Sequence, residues 1–320
     1  MRFEIIPGAA KDHYLLRDVE NGTQAEIFTF GALLNQFSVP VGPGTAQRVN
    51  VIDGFVDSAA ARAEITNGFH GAKLSPYVCR LHEGSFDFED KSYKVKGHYM
   101  GDSAIHGLLF DATFAVSSTH VDEEKAILSL WYQYNTTEHG FPFPYSIEVI
   151  YKLTADRGLQ VTTNVTNAGK TNMPLNDGWH PYFKLGQSID SASVRFDSKE
   201  LVEFDDALLP SGKTSIYQNF HLFKVFGDTE LDNCFTLNRP AYNEDLPAFE
   251  IKDESVGLSI GIYPDDAYPF LQIYTPPSRE SIAVENLSSI PDSFNNKTGL
   301  ITLKPGESRV FNTTYKLTLL

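Results

Sequence analysis

The feature that most limits how this 320-residue chain can fold is a pair of adjacent segments, 145–153 and 159–167, in which apolar and polar residues alternate. A period of two sends successive side chains to opposite faces, so each segment reads as a strand with one buried face. Between them lies Ala155-Asp156-Arg157-Gly158, a turn ending in glycine, and the pair therefore reads as a long antiparallel hairpin. Similar strand signals recur at 25–30, 48–52, 112–117 and 126–134. Others follow at 193–196, 248–252, 257–263, 271–275, 281–285 and 310–319. Residues 86–95 alternate on both sides of a charged turn, which is a hairpin signature. Helical signals are scarce. The alanine-rich stretch 58–65 is the best short helix, and 67–77, rich in Gly, Lys and Pro, reads as a loop. With no linker or composition shift to divide the chain, the expectation is one all-β domain over 1–320. Its architecture is read as a large antiparallel β-sandwich with few short helices.

Composition narrows the partners. Acidic residues exceed basic ones by 41 − 26 = 15, and an electronegative surface disfavours nucleic acid and anionic lipid, leaving a neutral small molecule as the easier partner. The first residues are broken by Glu4, Pro7 and Lys11 and lack the apolar run of a secretory signal. No stretch approaches the roughly 18 apolar residues of a membrane span. Cys79 and Cys234 are the only cysteines, too separated in sequence to suggest a disulfide scaffold or a metal site. A reduced, cytoplasmic setting is expected, with the chain as a monomer or weak homodimer. The nine histidines form no HxH or HExxH spacing, and GxSxG, GxGxxG and GxxxxGK[ST] patterns are absent. No metal or organic cofactor is expected.

Several polar residues stand in apolar surroundings beside turn-forming or aromatic residues. His180 lies in Asn176-Asp177-Gly178-Trp179-His180-Pro181-Tyr182-Phe183-Lys184-Leu185. Here Gly178 is expected to take a backbone conformation closed to other residues, and Pro181 fixes φ. A packing histidine and a chemical one are both open readings. Arg80 follows Val78-Cys79, with a buried ion pair to Asp232 as its plainer role. His106, before Gly107, reads equally as a turn residue; Asp232 as a strand end or cap; Glu285 as a solvated end of the 281–285 strand. If buried, each carries a desolvation cost unless it is paired or used.

Taken together these segments resemble the aldose 1-epimerase (galactose mutarotase) family. Cys79-Arg80-Leu81-His82-Glu83-Gly84-Ser85-Phe86 is similar to its Asn-Arg-Ile element, and Ile105-His106-Gly107-Leu108-Leu109 to its first histidine motif. Gly178 to Leu185 resembles its His-Pro-Tyr-Phe-Asn-Leu motif. Leu231-Asp232-Asn233-Cys234-Phe235, Leu271-Gln272-Ile273-Tyr274-Thr275 and Ala283-Val284-Glu285-Asn286 complete the set. The resemblance implies a β-supersandwich and interconversion of the α and β anomers of a free aldose such as galactose or glucose. It implies His180 as general acid, Glu285 as general base, and Arg80, His106, Asp232 and Gln272 as sugar ligands.

The chemistry fits that assignment. Mutarotation protonates the ring oxygen while the C1 hydroxyl loses its proton, so it needs an acid and a base on two sides of one carbon. Reference pKa values of about 6.5 for histidine and about 4.3 for glutamate suit those tasks near neutral pH, provided the imidazole starts protonated. Three positions depart from the family pattern: Cys79 replaces Asn, Asn286 replaces Pro, and Leu108 follows Gly107 where a second Gly is usual. One rival is a hexose-6-phosphate 1-epimerase, which would need a cluster of cations; Arg80, Lys73 and Lys184 are the cations near the motifs. The other is a non-catalytic carbohydrate-binding protein on the same fold, with Trp179, Tyr182 and Tyr274 as stacking faces.

Overall fold

A computed structural model describes residues 1–42, 47–135, 139–238 and 246–320. The long hairpin forms as its alternation requires. Tyr145–Thr154 pairs antiparallel with Gly158–Asn167, in a register that sets Ile150 opposite Thr162. Buried positions alternate with half-buried ones along the first of these strands. The hairpin sits inside a nine-stranded antiparallel sheet. Lys125–Tyr134 and Ala115–Val121 extend it on one side. Ser308–Leu319, Leu258–Pro264, Phe249–Asp253, Ser193–Phe196 and Lys224–Val225 extend it on the other.

A second, eight-stranded sheet runs in the order Pro210–Ile216, Ser198–Phe204, Asp232–Leu237, Phe270–Tyr274, Ile282–Leu287, Gly178–His180 and Ala72–Leu74, with Tyr182–Phe183 also on Ile282–Leu287. The two sheets meet through aromatic pairs. Phe183 lies 5.5 Å from Tyr315 between ring centroids, Trp179 6.4 Å from Tyr151, and Phe235 5.1 Å from Phe196. Ring pairs at these separations add packing beyond the area they bury. The hydrophobic core between the sheets is continuous from Phe3 to Leu317. A five-stranded meander from Phe3–Pro7 to Gln47–Asn50 packs on it. No helix among the described residues is long and apolar enough to cross a membrane.

The expected helix is present as Ser58–Glu64, begun by Asp57, whose carboxylate accepts from the Ala60 N–H at 2.8 Å. Three expectations need correction. The 67–77 loop contains the strand Ala72–Leu74, recruited by pairing with Gly178–His180 that no local pattern announces. The strand expected at 112–117 begins at Ala115, because Gly31 N–H donates to Ala112 O at 2.7 Å and holds that turn against the meander. The strand carrying Glu285 runs on to Leu287, so Glu285 is interior rather than terminal.

Gly178 also differs from expectation. Its φ is not in the left-handed region; what requires glycine is space. A Cβ there would meet Leu287 Cδ2 at 2.7 Å and the Asn286 carbonyl oxygen at 2.9 Å. The glycine lets two backbones approach where Gly178 pairs with Leu287. Gly178→Ala is expected to destabilise the protein by about 1–3 kcal/mol, the usual cost of overpacking, seen as a lower urea midpoint at unchanged m-value.

Candidate active site

Strand register assembles the site. Cys234 is opposite Gln272, and Gln272 opposite Glu285. On the other flank of Ile282–Leu287, Gly178 pairs with Leu287 and Tyr182 with Ala283, and that common register sets His180 opposite Glu285. Directly opposed residues share a face. Cys234, Gln272, Glu285 and His180 thus form one row across four neighbouring segments. Asp232, Tyr274, Ala283 and Tyr182 form the next row on the same face.

Two further residues arrive from a small sheet in which Arg80 pairs with Ile105. His106 follows that strand with φ 60°, and Gly107 with φ 80°. A side chain on Gly107 would collide with the Ser75 backbone, its Cβ lying 2.4 Å from the carbonyl oxygen. His106 is therefore a turn residue, as its plainer reading has it, and the left-handed turn brings its imidazole to the cavity wall.

All six residues singled out in the sequence line a single cavity of about 330 Å³. That volume is at the small end of the roughly 300–1,000 Å³ typical of small-molecule sites. His180 and Glu285 form its buried floor, with Nε2 of one 3.3 Å from Oε1 of the other. His106 stands perpendicular to His180, ring centroids 4.8 Å apart. Tyr182 stacks between His180 at 5.1 Å and His70 at 3.9 Å. Its hydroxyl donates to Gly68 O at 2.9 Å, so the imidazole rests on a fixed ring. Asp232 is at the rim, where its Oδ1 accepts from Gln272 Nε2 at 2.9 Å. Cys79 points its thiol at Glu285, Sγ lying 3.8 Å from Oε2.

Arg80 does not make the ion pair with Asp232 that its plainer reading suggested. Its guanidinium lies against Met100, 3.5 Å from the carbonyl oxygen, and no Arg80–Asp232 bridge forms among the described residues. Three buried polar atoms of the residues lining the cavity have no hydrogen-bond partner among the described residues: Nδ1 of His106, Nδ1 of His180 and Oε1 of Gln272. Buried polar groups left unpaired are costly, and the fold carries that cost at this site.

Burial governs the protonation of the floor. It pushes His180 down to about 3, with the nearby His70 charge adding to the shift. It pushes Glu285 well up, reinforced by the Asp232 charge and partly offset by the Cys79 thiol hydrogen bond. Burial and the neighbouring His180 likewise lower His106. Burial thus acts on both groups in the direction of a neutral imidazole and a protonated carboxyl. Both directions run against the imidazolium that the sequence reading requires at the start, because burial penalises the charged forms.

Sequence reasoning missed the support beneath this floor. Lys73 is fully buried, its Nζ 2.6 Å from Asp177 Oδ1, 3.0 Å from Gly178 O and 4.4 Å from the Trp179 ring centroid. Tyr268 donates to the same carboxylate oxygen at 2.6 Å, and the Asp177 N–H donates to Ser288 Oγ at 2.8 Å. Burial lowers Lys73 to about 8, partly offset by Asp177. The network joins the strands bearing His180 and Glu285. Its only sequence signal is a lysine framed by apolar residues, as Arg80 is.

Fold and cavity together define a β-sandwich protein with a carboxyl–imidazole pair at the base of a small-molecule pocket. Residues 12–316 match the family described as Aldose 1-epimerase, and the chain belongs to that family. It is 26% identical over 245 residues to the uncharacterized protein YihR of Escherichia coli (strain K12), covering 74% of this chain and 75% of that protein. Among solved structures, a galactose mutarotase-like protein from Clostridium acetobutylicum superposes with a TM-score of 0.85 at 21% identity, over 99% of this chain and 98% of the other. A galactose 1-epimerase from Lactobacillus acidophilus gives 0.82 at 17% identity, over 100% and 99%. These similarities place the fold.

Lys73→Met is expected to destabilise the protein by about 3–5 kcal/mol, because it leaves the buried Asp177 carboxylate without its cation. Adding Asp177→Leu should recover much of the loss in equilibrium denaturation.

Proposed function

We propose that the chain, acting as one domain over 1–320, is an aldose 1-epimerase that interconverts the α and β anomers of a free, neutral aldose. The observation that carries this reading is the 3.3 Å contact between His180 Nε2 and Glu285 Oε1 at the buried floor of a cavity lined also by Arg80, His106, Asp232 and Gln272. A binding protein would not need a titratable acid and base converging on one point.

The pair carries one proton whether it is imidazolium with carboxylate or imidazole with carboxylic acid. With the sugar bound, Glu285 passes the proton to His180 across their contact; in ring opening His180 gives it to the ring oxygen while Glu285 takes the proton of the C1 hydroxyl. The C1–ring oxygen bond breaks and C1 becomes an aldehyde. Rotation about C1–C2 presents the other face, and reclosure returns both protons. After opening, the imidazole is neutral and the carboxyl protonated, which is the arrangement burial favours in the empty site. The cavity is thus matched to the open-chain state, and stabilising the state that follows bond breaking lowers the barrier to reach it. The Gln272–Asp232 pair, Arg80 and His106 supply hydroxyl partners around the ring.

The cations favour a neutral sugar over a sugar phosphate. Lys73 is sealed in its pair with Asp177, and Lys184 lies 3.4 Å from Asp53. Arg80 is the one lysine or arginine lining the cavity among the described residues. Phosphate recognition usually draws on several such groups.

Polarimetry at low buffer concentration checks the assignment. His180→Ala and Glu285→Ala should each slow the approach of α-galactose or α-glucose to anomeric equilibrium by about 10²–10⁴-fold. Unchanged rates in both would sink it, and glucose 6-phosphate as the faster substrate would favour the phosphate rival. The pH profile is a separate check. His180 is depressed and Glu285 raised, so the one-proton state extends below the ordinary histidine range. The kcat/KM profile of the chelator-treated protein should show no acid limb near the reference histidine value of about 6.5. Its acid limb should lie well below that, where a second proton binds; an acid limb centred at the reference value would contradict the neutral floor.

A further inference from the structure

We propose that the cavity floor is also a reversible binding site for a divalent transition metal of the zinc class, held by His106, His180, Glu285 and the thiolate of Cys79. Metal there blocks the sugar reaction. Only the blocking rests on the proposed function; the site itself stands on geometry.

Donor atoms of His106, His180 and Glu285 all lie within 4.8 Å of one another, and all three residues are buried. Zinc takes two imidazoles and a carboxylate at bond lengths of about 2.0–2.2 Å, which lets two donors stand about 4.4 Å apart at most. A small side-chain rotation closes the difference. The three-residue cluster does not include Cys79, whose Sγ lies 3.8 Å from Glu285 Oε2; turning that thiolate toward the two histidines would complete a four-donor set. Thiolate and imidazole together select zinc, cobalt or copper over magnesium and calcium. On binding, the thiol proton and the proton shared by His180 and Glu285 leave to solvent, and both groups of the pair become ligands.

Cys79 makes this particular to the chain, since the family pattern it resembles has asparagine at that position, and an amide is a poor ligand for these metals. The surroundings indicate a metal that comes and goes. Resident metal centres orient each histidine through a hydrogen bond from its other ring nitrogen. Here Nδ1 of both His106 and His180 is buried without a partner among the described residues.

Cobalt(II) added to the full, chelator-treated chain tests the site, because its spectrum is independent of turnover. Visible absorption of four-coordinate cobalt and a near-ultraviolet thiolate-to-cobalt band should saturate at one equivalent, vanish with EDTA, and yield to zinc. His106→Ala and Glu285→Gln, with folds checked by circular dichroism, should weaken binding by at least the about 10–100-fold that loss of an outer-shell partner costs. Cys79→Ser should abolish the near-ultraviolet band. Micromolar zinc should then inhibit polarimetric turnover, reversed by EDTA.

A spectrum of hydrated cobalt at one equivalent overturns the proposal. So do bands that survive in both His106→Ala and Glu285→Gln, which would put the metal elsewhere, for example on the exposed pair His120–Asp122, whose Nε2 and Oδ2 lie 2.9 Å apart. Visible bands without the near-ultraviolet band overturn the four-donor set. A bound metal in a protein that never interconverts anomers would leave this site standing and sink the proposed function instead, so the two failures are distinguishable.

Discussion

The structure depends on the placement of the strand Ile282–Leu287, buried at every position between Phe270–Tyr274 on one side and Gly178–His180 with Tyr182–Phe183 on the other. Its register on both flanks aligns Glu285 with Gln272 and with His180. Side chains alternate along a strand, so a slip of one residue would turn the Glu285 carboxyl into the sheet interior. Several contacts oppose such a slip. Gly178 admits the close approach of Asn286 and Leu287, the Val284 N–H donates to Pro181 O at 3.1 Å, and Asp177 is tied to Ser288 by two hydrogen bonds of 2.8 and 2.9 Å. Lys73 and Asp177 then anchor the third strand through a buried pair. That pair carries a large desolvation cost. In exchange the position it holds is specific, because a shifted strand would leave both charges unpaired.

The same burial that makes the floor rigid sets its chemistry. In water an imidazole and a carboxyl group of ordinary pKa would separate charge near neutral pH. In this cavity desolvation acts on both in the direction of neutrality, lowering one and raising the other. A proton then passes between groups in contact, with little charge for the surroundings to reorganise around. On the proposed reading, that is what ring opening and reclosure at one carbon require. Converging donors at the base of a cavity also suit a metal cation. The Cys79 thiol beside Glu285 adds a soft donor to that floor.

Much of this was legible in the sequence because it is local. Alternation located both strands of the hairpin at Tyr145–Thr154 and Gly158–Asn167 to within a residue, and the motif around His180 fixed a rigid imidazole. Resemblance to a family then brought together six residues that the structure places around one cavity. What stayed hidden depends on contacts distant in sequence. Ala72–Leu74 is a strand only because Gly178–His180 lies beside it. Pro210–Ile216 escapes pattern reading because it is an almost wholly exposed edge strand with no buried face to alternate. The role of Lys73 follows from a partner 104 residues away. The protonation of His180 and Glu285 could not be read from residue types, since it comes from how deeply the fold buries them. Gly178 shows the limit from another side: sequence identified a position that needs glycine but not that close approach, rather than backbone torsion, is the reason.

The central claim is that one buried carboxyl–imidazole pair opens and recloses a sugar ring. Two-dimensional exchange NMR on galactose at anomeric equilibrium tests it without perturbing the protein. With catalytic amounts of the chain, cross-peaks should connect the α and β anomeric protons at mixing times where galactose alone gives none, and Glu285→Gln should remove them. Saturation transfer from protein to sugar without any anomeric exchange would contradict the account and leave a protein that binds sugars without opening them.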